Sequence, residues 1–391
     1  MQEVVLVQAC RTAFGNFGGA LRSVSPVEMG AAVMQEVLGR SGVSASEVEQ
    51  VVMGQVVLTE PQDIYLPRAA SMKAGVAHEA VAMSVNRLCA SGLQAIISAA
   101  QAIILGEASV ALAGGVESTS RMPYMATSQR WGSRMGNVAL VDVLSEIFIS
   151  PLTREHVGVV TGENVARKYG VSRCEQDQLA LESHRRALRA IENGYFKEQI
   201  VPMVGHDGIA FEQDEHVRHD GSLEQLAALK PIFQSDGGTV TAGNILGLAD
   251  AAAVVLMMEE GQARRKGLEP MGKLRSWAHA GVDPQFAGMG PVPATRLALK
   301  RARLTVSDID VIESNEAFAA QVCAVAKELD FDPERVNPNG GSISMGHPLG
   351  ATGAALVVKA LHELQRIHGR YALVTMCHGG SEGVAMIIER Q

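Results

Sequence analysis

With 391 residues and a net charge of −8, the chain is long enough for two or three hydrophobic cores, and its acidity argues against nucleic acid or an anionic membrane as the main partner. Hydrophobic residues make up 47% and charged residues 19%, an ordinary globular balance, while 40 glycines promise many tight turns and close backbone approaches. Five cysteines (Cys10, Cys89, Cys174, Cys323 and Cys377) form no CxxC pair, which argues against a zinc site or a disulfide framework and for a reducing cytoplasm.

The chain opens on VVLVQA (4–9), a short β-branched strand, with no secretory pattern around it. No apolar run is expected to reach the roughly 18 residues that a membrane span needs. A helix follows over Pro26–Ser41, then strands at VVMGQVV (51–57) and SVALAGG (109–115). Strands alternating with helices predict βαβ units and a mainly parallel, buried sheet. From 118 to 248 the pattern changes, becoming richer in Arg, His, Met and Gly around an amphipathic helix at Cys174–Asn193. We read it as an insertion that builds a substrate cover or an oligomer contact. The second half returns to α/β: a strand at VIESNEAF, a helix after it, a Gly-rich segment, a helix over 351–364, and strands at YALVTMCHGG and VAMIIE.

The two halves share a repeat. Ser91-Gly92 aligns with Thr352-Gly353, and each pair opens an apolar helix, striped by Leu93, Ile96, Ile97, Ala100 and Ile104 in one and by Val357, Val358, Leu361 and Leu364 in the other. A strand then begins 18 residues after the glycine in both, at Val110 and at Tyr371. Two similar α/β halves, with sites at matching ends, are implied.

Four segments could carry chemistry. Cys89, in NRLCASGLQAI, sits where a strand meets a helix; the helix N-terminus favours thiolate and would lower the thiol pKa. A structural cysteine is the competing reading. His347 lies in GGSISMGHPLGATGA, held by glycine and proline just before the repeat helix, and imidazole is suited to proton transfer near neutrality. Cys377 ends a strand and enters a Gly-rich turn, where parallel α/β sheets bind ligands; the neighbouring His378 is either exposed there or part of the site. Asn315 and Glu316 follow a strand, with Asn315 either an N-cap or, with Glu316, a polar group at the cleft. Two thiols and an imidazole suit acyl transfer through a thioester.

Together with RTAFGNFGG, GGVESTSRMPY, HVGVVTGENVA, GTVTAGN and NEAFAAQ, in this order, these segments resemble the thiolase family over essentially the whole chain, most of all its bacterial β-ketothiolases of broad chain-length tolerance linked to polyhydroxyalkanoate synthesis. The resemblance implies a five-layered α/β/α/β/α fold, with one half in 1–117 plus 249–270, an inserted loop domain in 118–248, and the second half in 271–391. It implies a homo-oligomer, a dimer or tetramer, that makes and cleaves 3-ketoacyl-CoA in the cytoplasm. Acyl-CoA, acetyl-CoA and free CoA would be its substrates, with no separate cofactor or metal. Cys89 would carry the acyl group, His347 would deprotonate it and help form one oxyanion hole, and Asn315 would hold a water completing that hole. Cys377 would move the α-proton, and the N–H groups of Cys89 and Gly379 would form a second oxyanion hole. His156 would touch the thioester, Arg218 would lie near the nucleotide, and Phe233 and Phe318 would line the pantetheine channel.

Departures from the family pattern concern binding. Leu246 stands where a serine usually contacts pantetheine, losing a hydrogen bond of roughly 0.5–1.5 kcal/mol and adding bulk. Ala249-Asp250-Ala251 replaces Asn-Asp-Gly. Val157 replaces a common methionine and would widen the acyl pocket. Ser381 replaces a glycine and would be strained if the turn needs positive φ. An acyl-CoA-binding homologue without activity and a decarboxylating condensing enzyme are the alternatives to a thiolase.

Overall fold

The computed structural model describes residues 2–391. In chain order the elements that position the site are β1 (Val4–Thr12), α1 (Pro26–Ser41), β2 (Gln50–Gly54), α2 (Leu66–Lys73), β3 (Val81–Val85), α3 (Ser91–Leu105), β4 (Val110–Ser118), α4 (Arg173–Glu192), β5 (Ala249–Glu259), β6 (Gly272–Gly281), α5 (Pro291–Ala302), β7 (Val311–Ser314), α6 (Ala319–Leu329), α7 (Leu349–Ile367), β8 (Tyr371–His378) and β9 (Glu382–Glu389).

Local chemistry explains the boundaries. Ser25 and Glu28 form a reciprocal capping box with Pro26 at the first helical position, and Gly42 at φ 68° closes α1. Ser172 and Glu175 repeat that box at α4. All nine residues of β4 are buried, so it reads as small and apolar up to Val116 instead of alternating.

The strands run β7-β8-β9-β6-β1-β5-β4-β2-β3. Along this order pairing is parallel only at the two ends, β7–β8 and β4–β2–β3, and off it the short strand Ile200–Val201 runs parallel to β1. The middle, from β8 through β9, β6, β1 and β5 to β4, is antiparallel. The expected mainly parallel sheet is therefore corrected to a mixed one. Parallel pairs need a crossover helix, whereas only residues 379–381 join β8 to β9, so that pair must be antiparallel.

The β1–β6 link is short, Val5 with Lys273 and Leu6 with Gly272, and divides the strands into two packed halves. Between the halves lie α3 and α7, sharing one core with both. Helix α1 covers the far side of the first half and α5 and α6 that of the second. These are the five layers α/β/α/β/α. The window Leu88–Leu105, containing α3, is by length and hydropathy apolar enough to cross a membrane, contrary to the sequence expectation. That hydropathy belongs to a helix flanked by protein, and most of the window is buried.

At their N-terminal ends α3 and α7 nearly touch. A Cβ on Gly92 would sit 2.7 Å from the Gly350 carbonyl oxygen and one on Gly353 2.5 Å from the Leu93 nitrogen. Gly353→Ala should therefore push the middle layer apart and cost about 1–3 kcal/mol, read as a lower melting temperature; an unchanged melting temperature would show that the crossing has slack.

Candidate active site

The turn Asn86–Cys89 connects β3 to α3 and is held from several sides. The Asn86 side chain accepts from Leu88 N–H (3.0 Å) and donates to the Val56 carbonyl (2.9 Å). Ser91 Oγ donates to the Leu88 carbonyl (2.6 Å) and accepts from Arg87 N–H (2.8 Å). Leu88 has φ 50°, uncommon for a branched side chain. Cys89 is half-buried and faces a cavity. Burial pushes its thiol up to about 12, and the Glu117 carboxylate adds to this; hydrogen bonds from its own N–H and from Gly379 N–H pull the other way. The lowered pKa expected from the helix end is thus reversed, because loss of solvation outweighs the hydrogen bonds that reach the thiol.

His347 is fully buried, with Nδ1 2.8 Å from Thr352 Oγ1 and Nε2 unpartnered. Burial lowers its pKa to about 3, so the ring is neutral. Asn315 accepts from Ser342 Oγ at 2.7 Å through Oδ1, leaving its buried Nδ2 without a partner. It does not cap a helix, since α6 starts at Ala319. Cys377 is buried, its thiol pushed up to about 12 by burial and then by Cys89. In the following turn Ser381 has φ 62°, the left-handed backbone that a glycine would adopt without strain. His378 Nδ1 accepts from Gly380 N–H (3.3 Å), and its Nε2 lies 3.4 Å from a Glu382 oxygen.

One cavity of about 320 Å³ brings together Cys89, His347, Cys377, Asn315 and Gly379. Its walls also include His156, Val157, Phe233, Leu246 and Phe318. His156 stacks between Phe148 (5.9 Å) and Phe233 (4.5 Å), and Phe233 meets Phe318 edge-on at 6.2 Å. Arg218 is exposed and does not line the cavity; its N–H donates to His184 Nδ1 at 3.1 Å. Glu316 is not at the cleft either. It is buried, accepting from Ser183, Asn337 and Ile343 N–H beneath the loop that leads to His347.

Sequence reasoning passed over Glu117, whose carboxylate accepts from the N–H groups of Val56, Val57 and Gly350. Burial raises its pKa to about 7. Its only signal was a charged residue at the end of an otherwise apolar strand. Ile147, Phe148, Ile232 and Leu349 also line the cavity, and nothing in their local sequence set them apart. Among the described residues no group of three or more His, Cys, Asp or Glu side chains is arranged to hold a metal ion.

Comparison with known proteins identifies relatives of the whole chain. Residues 4–261 match the family model described as Thiolase, N-terminal domain, and residues 268–390 match Thiolase, C-terminal domain. The chain is 58% identical to beta-ketothiolase BktB of Cupriavidus necator, covering 100% of this chain and 99% of that protein. It is 45% identical to the acetyl-CoA acetyltransferase of Shinella zoogloeoides, covering 98% of each. The crystal structure of human mitochondrial 3-ketoacyl-CoA thiolase in complex with CoA superposes with a TM-score of 0.97 at 38% identity, covering 100% of this chain and 98% of that one.

The raised thiol pKa values make a prediction. Alkylation of Cys89 and Cys377 by iodoacetamide, followed by mass spectrometry, should accelerate about tenfold per pH unit between pH 7 and 9, because only the thiolate reacts. A rate that levels off by neutral pH would reveal a thiolate–imidazolium pair instead.

Proposed function

This chain belongs to the thiolase family, and we propose that its acyl transfer runs through Cys89. It is a β-ketothiolase, an acetyl-CoA C-acyltransferase. The observation that carries the division of labour is the meeting of two thiols, a neutral imidazole and an unpaired amide N–H in one mostly apolar cavity.

In thiolysis, His347 Nε2 takes the Cys89 proton as the sulfur attacks the 3-keto carbon. The tetrahedral oxyanion is met by the N–H groups of Cys89 and Gly379. The C2–C3 bond then breaks, Cys377 protonates the departing acetyl-CoA carbanion, and the acyl group stays on Cys89. Free CoA attacks that thioester, its proton passing to the Cys377 thiolate; the Cys89–acyl bond breaks, and the Cys89 sulfur takes back its proton from His347. Asn315 Nδ2, freed by Ser342, donates through a water to the thioester oxygen when the enolate forms. Both thiols and the imidazole rest uncharged, so each proton moves together with the bond that needs it. Condensation is the same path reversed.

His156, Phe233 and Phe318 would pack on the pantetheine arm, and Arg218 would meet the nucleotide outside the cavity. Leu246, in an apolar cluster with Phe233, Ile245 and Cys377, and Val157 would set acyl preference. We divide the chain as 1–117 plus 249–270, the insertion 118–248, and 271–391. Five free cysteines support a cytoplasmic setting. A homo-oligomer is supported by β3, an end strand of the sheet that leaves Val81 63% and Met83 43% exposed.

Cys89→Ala should abolish labelling by radioactive acyl-CoA and thiolysis of acetoacetyl-CoA, followed by its absorbance, while the fold persists. Labelling that survives at another residue would sink the assignment, and a wild type without thiolysis would favour a binding-only homologue. Met83→Glu should lower the mass measured by light scattering; an unchanged mass would move the interface elsewhere.

A further inference from the structure

The wall of the cavity between His156 and α4 contains a π-helical turn, Val159–Glu163. Such turns bulge the backbone and recur at functional sites. Three contacts hold it here. Gly158 lies under Phe233, where a Cβ would meet the ring at 2.2 Å, and Gly162 lies against Val240 and Phe318, where a Cβ would meet a methyl at 2.8 Å and a ring carbon at 3.2 Å. Glu163, buried, accepts from Thr239 N–H (2.9 Å) and Val240 N–H (3.0 Å). Between the glycines the bulge leaves Thr161, buried except where it lines the cavity. Its hydroxyl makes no hydrogen bond to any described residue. The rings beside it, Phe233 and Phe318, belong to the same wall.

A neutral hydroxyl without an internal partner, set in an apolar wall, is matched to a neutral polar group of a ligand and not to a charge. On the reading that the cavity takes CoA thioesters, the polar group nearest the sulfur along the pantetheine arm is an amide, flanked by methylenes that suit the aromatic rings. We infer that Thr161 Oγ1 hydrogen-bonds this amide and is a binding determinant that the π-helical turn delivers to the channel.

Steady-state thiolysis tests this with acetoacetyl-CoA and with S-acetoacetyl-N-acetylcysteamine, which keeps that amide and lacks the rest of the arm. Thr161→Val should raise KM for both by roughly 3- to 10-fold, the range of one neutral hydrogen bond, with kcat within about twofold. Thr161→Ser, which restores the hydroxyl, should return KM to wild type; Thr161→Ala gives the same comparison if valine disturbs the turn. An unchanged KM in both Val and Ala variants overturns the inference, as does a fall in kcat alone, which would put the hydroxyl at the reacting carbonyl. Absence of thiolysis in wild type would instead overturn the functional reading.

Discussion

Everything at the site depends on how closely α3 and α7 approach. Glycines at 92 and 353 let the two N-terminal ends pack backbone against backbone, and each helix is preceded by a segment that lines the cavity: the Cys89 turn before α3, the His347 loop before α7. Glu117 ties the same place together by accepting from Val56, Val57 and Gly350 N–H across both halves. The chain ends of β7 and β8 deliver Asn315 and Cys377 to the same cavity. Side chains hundreds of residues apart therefore become neighbours because two helices are allowed to cross without side-chain bulk between them.

That packing also sets the chemistry. Excluding water costs charged groups more than neutral ones, so both thiols are pushed up and the imidazole down. A site of neutral partners holds its protons until substrate supplies a developing negative charge for the amides to meet. Under the proposed mechanism the thioester, and not the resting protein, triggers the ionisation.

Strain gathers around the same space. Leu88 and Ser381 both occupy left-handed backbone, and a Cβ on Gly379 would lie within 3.6 Å of Leu88 Cδ1, so the two turns pack together. With the π-helical turn at Val159–Glu163 they make three irregular backbone segments at one cavity. Their cost is borne by the packed halves on either side, as is usual where geometry serves a site.

Much was legible in the sequence because it is local. Hydrophobic period located α1 and, within a residue at each end, α4, and the shared spacing after Gly92 and Gly353 revealed two related helices that the structure packs against each other. Residue chemistry beside glycine drew attention to Cys89, His347 and Cys377. Strand direction was not legible, because the antiparallel middle arises from a hairpin turn and from the return of the chain after the insertion, neither of which periodicity encodes. The sign of the Cys89 shift was missed for a similar reason: a helix end is visible in sequence, but the burial that outweighs it is a sum over distant neighbours. The sequence by itself determined where thiol and imidazole groups stand beside glycine and which segments form helices and strands, since both depend on nearest neighbours along the chain. Only the tertiary structure decided which of those residues meet, how dry their meeting place is and which hydroxyls hold them, since solvation and contact are properties of the packed whole.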